Sequence, residues 1–268
     1  MPERHTNLHT NPHAHSAYQG TIDLNADLGE GASCDAQILA LVSSANIACG
    51  GHAGDEDSMR VAVQLAQQYG VAIGAHPSFT DKENFGRKIQ APPYDHLAQD
   101  LRDQISTLMR ITAEQGAQLQ HIKPHGALYN QAAFDPVLAD IVIQVMQEIA
   151  PQLSLVALAG SPIVARAQAA GLRVISEAFA DRRYRRDGSL VARSQANACI
   201  ERIDEAVIQS VQLIESQQLC CDDGSIIKVQ ADTICVHGDG VHALATIQAL
   251  RHAFDERGIQ VRRPACTS

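Results

Sequence analysis

From Thr21 onward the apolar positions of this chain fall into two alternating rhythms. Stretches such as "DSMRVAVQLAQQY" and "HLAQDLRDQISTLMRITAEQ" repeat apolar residues every three or four positions, the period of a helix with one buried face. Short apolar runs follow them, and the junction is marked by glycine at Gly70, Gly116, Gly171 and Gly258. A glycine just past a helix takes the left-handed C′ conformation at little steric cost. Helix starts are marked too: Asp135-Pro136 and Ser161-Pro162 each set a capping residue before proline at the first helical position. The rhythm predicts strands near residues 21–26, 45–49, 71–76, 119–124, 153–159, 172–178 and 232–237. Strands alternating with helices of this length form βα units around a parallel sheet.

The polar residues decide between a closed barrel and an open sheet. An open sheet gathers its ligand groups at one switch point, whereas here polar side chains follow nearly every strand. Asp23 and Asn25 end the first, His52 in "CGGH" follows the second, and His76 ends the third. Lys123 and His125 follow the fourth, Glu177 the sixth, and His237 with Asp239 the seventh. That distribution is what the rim of a βα barrel requires. Alternation agrees: Thr233, Cys235, His237 and Asp239 share one strand face, as do Ala72, Gly74 and His76, while Ile22, Leu24 and Ala26 oppose Asp23 and Asn25. The acids of "IDLNADLGEG" then line a polar mouth. The expected fold is α/β, an irregular seven-stranded β/α barrel with an unsettled eighth strand. The barrel would be a single catalytic domain over residues 21–262, between a disordered His-rich tail (1–20) and a flexible C-terminus (263–268).

Composition narrows the class. Hydrophobic content of 45% fits a globular protein with a sizeable core. A formal charge of −9 argues against nucleic acid or an anionic membrane as the main partner. The N-terminus has no apolar segment of the secretory kind, and seven cysteines form no framework, so reduced thiols and a cytoplasmic location are expected.

Two readings of the His/Asp set stay open. Asp23, His52, His76, His125, His237 and Asp239 either converge on a divalent metal, with Asp23, His52 and His76 the first candidates, or form a metal-free acid/base cluster. "KPHGALYN" adds Lys123, to neutralise an oxyanion or carboxylate, and Tyr129. "EAFADRRYRRDGSLV" carries Glu177, Asp181, Arg182 and Tyr184 in a basic patch suited to clamping a carboxylate or phosphate. "HPSFTDKENFGRK" reads as a mobile loop over the mouth, with Arg87 its best anion contact. Cys49 reads as a buried thiol. No G-x-x-x-x-G-K-[ST] loop occurs, so any nucleotide phosphates are not held by that device.

Six motifs in order, "DLNADLGEG", "NIACGGHAGD", "GAHPSFTD" with "FGR", "KPHGALYN", "EAFADRRY" and "VHGD", resemble the LamB/YcsF family across residues 21 to about 258. That family is the one of the 5-oxoprolinase A-type component. The resemblance implies a barrel similar to polysaccharide deacetylases. It also implies ATP-dependent opening of 5-oxo-L-proline to L-glutamate with partner subunits B and C, ATP and Mg2+ being bound through the complex. Family motif positions fall on Asp23, Asn25, Asp27, Glu30, His52, Asp55, His76, Arg87, Lys123, His125, Glu177, Asp181, Arg182, Tyr184, His237 and Asp239. Ala26 stands where the family commonly has cysteine, and Lys88 replaces a frequent arginine. From other classes, the alternatives are a stand-alone metal-dependent amide hydrolase or deacetylase and a non-catalytic lactam-binding subunit.

Overall fold

A computed structural model of the chain describes residues 20–238, 240 and 242–264. Its frame is a run of parallel strands: β1 (Thr21–Leu28), β2 (Ser44–Ala48), β3 (Ala72–His76), β4 (Leu119–Ile122), β5 (Ser154–Leu158) and β6 (Arg173–Phe179). After a short antiparallel hairpin, β7 (Gln218–Cys220) with β8 (Ile226–Lys228), comes β9 (Thr233–Val236), which lies beside both β6 and β1. Seven parallel strands therefore close into a barrel. The unsettled eighth strand is a stub, β10 (Gln260–Val261), pairing with Thr21 and Ile22 before β9 takes over the same edge of β1 at Asp23.

Each of the seven barrel strands is where the sequence rhythm places it, to within a few residues. Along β1, Ile22, Leu24, Ala26 and Leu28 are buried apolar positions, while Asp23, Asn25 and Asp27 between them are buried and polar. The apolar face packs under a ring of helices that begins with the short α1 (Asp35–Leu39) and includes α4 (Gly126–Ala132) after β4. Helix α2 (Glu56–Tyr69) covers it with Met59, Ala62, Val63 and Ala66, and α3 (Tyr94–Glu114) with Leu97, Leu101, Ile105, Leu108 and Ile111. Burying a leucine or isoleucine fully contributes roughly 1.5–3 kcal/mol, so these stripes hold the helices on.

Helix ends follow the expected chemistry with one exception. Gly70 is left-handed at the end of α2, and Asp135 caps α5 (Pro136–Ile149) by accepting from the amides of Val137 and Leu138. Ser161 does not cap α6 (Pro162–Ala169) in this way; its hydroxyl turns back to donate to the Leu158 carbonyl.

The sequence reading did not anticipate the hairpin or the wall it supports. From Ala180 to Arg202 the chain folds against itself through bridges between Arg182 and Cys199 and between Tyr184 and Leu190, and Tyr184 also bridges to Cys221, just past the end of β7. The loop over the mouth is tied down: Asp81 N–H donates to Gly51 O, Ala127 N–H to Gly86 O, and His125 N–H to Pro77 O. No helix among the described residues is long and apolar enough to cross a membrane.

Candidate active site

The barrel is filled by a column of buried polar side chains. At its base, Asp23 accepts hydrogen bonds from Ser43, Ser44 and Thr233 at 2.6, 2.7 and 2.5 Å. One level up, the Asn25 amide donates to Glu177 and Thr233, and Asn46 donates to both Asn25 and Asp27 at 2.8 Å. His121 donates to the Asn46 carbonyl at 2.8 Å and fills the space left by Gly74, where a Cβ would stand 2.0 Å from the imidazole. Near the top, Lys123 Nζ donates to Asp27 at 2.8 Å, Glu177 at 2.9 Å and the Cys235 sulfur at 3.1 Å.

Charge in this column is set by neighbours competing with burial. Burial alone would raise the Asp27 carboxyl, but His76 close beside it and the Lys123 ammonium more than reverse that and hold it well below the usual range. Burial would likewise strip Lys123 of its proton, yet Asp27 and Glu177 hold it well above an ordinary lysine, so it stays cationic. Asp23 has only hydroxyl partners, and burial pushes it up to about 6. Burial pushes the Cys49 thiol up to about 12, which leaves it inert as a nucleophile.

Above the column opens a cavity of about 670 Å3 at the C-terminal ends of the strands, lined by Asp27, His76, Lys123, His125 and His237 among others. That volume is in the range of small-molecule sites. On one wall, His237 Nδ1 lies 3.0 Å from both Asp181 carboxylate oxygens, and its ring stacks on Phe179. A carboxylate accepts only, so Nδ1 carries the proton and Nε2 is left as the basic nitrogen. Burial would raise Asp181, and His237 more than offsets it, leaving the carboxyl below its ordinary value. On the opposite side Glu30, His52, His76 and His125 bring one ligand-capable atom each to within 4.8 Å of one another. His52 and His125 stack at 3.6 Å, and Gly86 (φ 61°) closes the roof where a side chain would meet His52.

The structure therefore gathers His52, His76, His125 and Glu30 in one cluster, and Asp27, Lys123, Asn25 and Glu177 in the column beside it. Of the three metal candidates named from sequence, His52 and His76 lie together with Glu30 and His125, whereas Asp23 lies at the far end of the column, against a separate hollow shared with Arg173 and Asp232. Arg87 lines the cavity with its guanidinium 4.7 Å over the Phe85 ring. Arg182 is at the cavity wall but spends its guanidinium on the Val191 and Ala198 carbonyls. Tyr184 is buried beneath, its hydroxyl accepting from Phe179 N–H at 2.7 Å, which makes it a support of the wall. Tyr129 also lines the cavity, and burial with the nearby Glu177 charge holds its hydroxyl well above the ordinary value. Asp239 lies outside the described residues. Sequence reasoning missed Asn46, His121, Ser43 and Ser44; Asn46 and His121 share inward parity with Ser44 and with Lys123, which was the available signal.

The sequence pattern of the LamB/YcsF family matches residues 22–267. The chain belongs to the LamB/YcsF family. Among solved structures, a lactam utilization protein from Thermus thermophilus is 38% identical, with a TM-score of 0.84 over 90% of this chain and 99% of its own. A candidate cellobiose-phosphate cleavage protein from Enterococcus faecalis is 12% identical with a TM-score of 0.53 over 91% and 97% of the two chains, a likeness of fold alone. In this LamB/YcsF chain the six motifs carry the column, the histidine cluster and the Asp181–His237 pair.

Proposed function

We propose that this chain opens a cyclic amide as the A-type component of an ATP-dependent 5-oxoprolinase, converting 5-oxo-L-proline to L-glutamate with partner subunits B and C. The observation that carries the reading is a carboxylate-oriented imidazole and a permanent buried cation on the wall of one cavity. The 38% identical lactam utilization protein supports the substrate class. Opening a lactam adds water across its C–N bond. His237 Nε2 takes a proton from the attacking water as oxygen bonds to the carbonyl carbon, then gives it to the ring nitrogen as that bond breaks. Lys123 has its donors committed to Asp27, Glu177 and Cys235, so it acts as a fixed positive field near the developing oxyanion. Arg87, at the cavity wall, holds the substrate carboxylate. A five-membered lactam is a stable amide, which explains the coupling to ATP: phosphorylation of the carbonyl oxygen makes the carbon electrophilic. C–N cleavage after water adds leaves a glutamyl acyl phosphate, and a second water splits that into glutamate and inorganic phosphate. In this reading the nucleotide and its Mg2+ are held by the assembly, in the cytoplasm; this chain carries no P-loop of its own.

The test is glutamate release from 5-oxoproline and ATP, using this chain alone and then with its B and C partners, with His125→Ala as a control. Activity in the full mixture, lost in the variant, is expected. No glutamate in any combination overturns the assignment.

A further inference from the structure

Two histidines in the cluster face each other with their lone pairs. His76 Nδ1 lies 2.7 Å from the Lys123 carbonyl, and His125 Nε2 lies 2.9 Å from the Phe85 carbonyl. A carbonyl only accepts, so each of these nitrogens carries its ring's proton in the neutral form. The remaining nitrogens, His76 Nε2 and His125 Nδ1, are then both acceptors, yet they stand 2.9 Å apart. Something positive belongs between them. Around that point lie Glu30 Oε1, 3.9 Å from His76 Nε2 and 3.6 Å from His125 Nδ1, and His52 Nε2, 3.0 Å from the same oxygen.

We propose that Glu30, His52, His76 and His125 form a binding site for a divalent transition metal of the zinc type. An ion with four ligands at about 2.0–2.1 Å has donor–donor edges of about 3.3–3.4 Å, and the four edges above straddle that value. Three imidazoles and one carboxylate suit zinc, cobalt, iron or manganese and not calcium or magnesium. His76 and His125 each give their outer N–H to a backbone carbonyl, the contact that orients ligating imidazoles. His52 Nδ1, on a residue only 2% exposed, has no partner among the described residues. Asp27 Oδ2, 3.4 Å from His76 Nε2, stands ready as a fifth donor or as the acceptor for a metal-bound water. Bound there, the ion supplies Lewis acidity beside the cavity; only that role rests on the proposed function, and the site itself is read from donor geometry.

The test uses the full chain with His5, His9, His13 and His15 changed to Asn, so that the tail adds no sites, stripped with a chelator. It is titrated with Co2+ by visible absorption and with Zn2+ by calorimetry. The expected result is one equivalent, with the intense band of four-coordinate cobalt. His76→Ala and His125→Ala weaken binding by more than about 100-fold, beyond what loss of a group that merely orients a ligand costs. Thermal unfolding in chelator shows that both variants are folded. No saturable uptake, or equal uptake by a His76→Ala/His125→Ala double variant, overturns the proposal and leaves a shared proton as the group between the rings. Glutamate release is read separately: cobalt binding without glutamate overturns the oxoprolinase reading and upholds the site, and glutamate without binding does the reverse.

Discussion

Lys123→Met removes the one ammonium that neutralises the barrel column. Its partners, Asp27 at 2.8 Å and Glu177 at 2.9 Å, are 4% and 0% exposed, so neither can recover its hydration when the cation goes. Removing one member of a buried pair costs about 3–5 kcal/mol, and with two acids stranded the upper end applies. For a domain of this size that is a fall in Tm of roughly 10–20 °C. The sign of the pH dependence is the sharper test. In the wild type Asp27 is held below its usual range, so its contribution is present at neutral pH and is lost as pH falls through its folded-state pKa. Without Lys123 one of the two neighbours that depress this carboxyl is gone, so its folded-state pKa moves back up and less of that contribution remains at neutral pH. The deficit of the variant is therefore largest near pH 7 and shrinks toward pH 3, below the ordinary aspartate value of about 3.9, where a proton on the acid replaces the missing cation. Thermal melts followed by circular dichroism at both pH values measure it, and Lys123→Met/Asp27→Asn should recover part of the loss. An equal deficit at pH 3 and pH 7, or one below about 1 kcal/mol, would refute the argument.

Three other substitutions probe separate parts of the column and mouth. Asp23 sits at about 6 against 3.8 in a free chain, a difference of about 3 kcal/mol at 1.36 kcal/mol per unit. Wild type minus Asp23→Asn stability should rise by about that much as pH falls from 7 to 4, and a flat difference in urea titrations would exclude it. Gly74→Ala drives a methyl into His121, which is pinned by Asn46, and should destabilise by about 1–3 kcal/mol; a change under about 0.5 kcal/mol would show that the imidazole yields freely. Asp181→Asn removes the acceptor that fixes the His237 tautomer. It should lower kcat by about 10²–10⁴ and reshape its pH profile, whereas an unchanged profile removes His237 from the base role.

The fold was legible because its signals are local. A helix stripe, a left-handed glycine and an alternating strand each need only a few neighbouring residues, so Gly70, the Met59–Ala66 face of α2 and the two faces of β1 could be read from the chain. The β7–β8 hairpin and the Ala180–Arg202 wall could not, because what holds them is distant. Arg182 and Tyr184 looked like ligand groups in a basic run, but the first folds a loop through the Val191 carbonyl and the second props the Phe179 amide. A charged or phenolic side chain in a loop carries no mark of whether it will meet a substrate or the loop's own backbone.

Depth in the barrel is the other quantity that composition and spacing do not encode. Parity told that Asp23, Asn25 and Asp27 point inward, yet these residues serve different purposes along one strand, since each inward step of two residues advances about 6–7 Å. Register resolves them: Asp23 is level with Thr233, and Asp27 is level with Asn46. That places Asp23 among hydroxyls at the base, too far down to join His52 and His76. Glu30 lies beyond the end of β1, where parity no longer applies, and it is the acid that reaches the histidines. Lys123 is the same case from β4, just past Ile122 and therefore at the level where the column meets the cavity. A metal, base or field assignment drawn from inward-facing residues alone will merge groups separated by a full barrel layer. The pairing partners across the sheet, each set by which strands happen to be neighbours, decide which of them can act on one substrate.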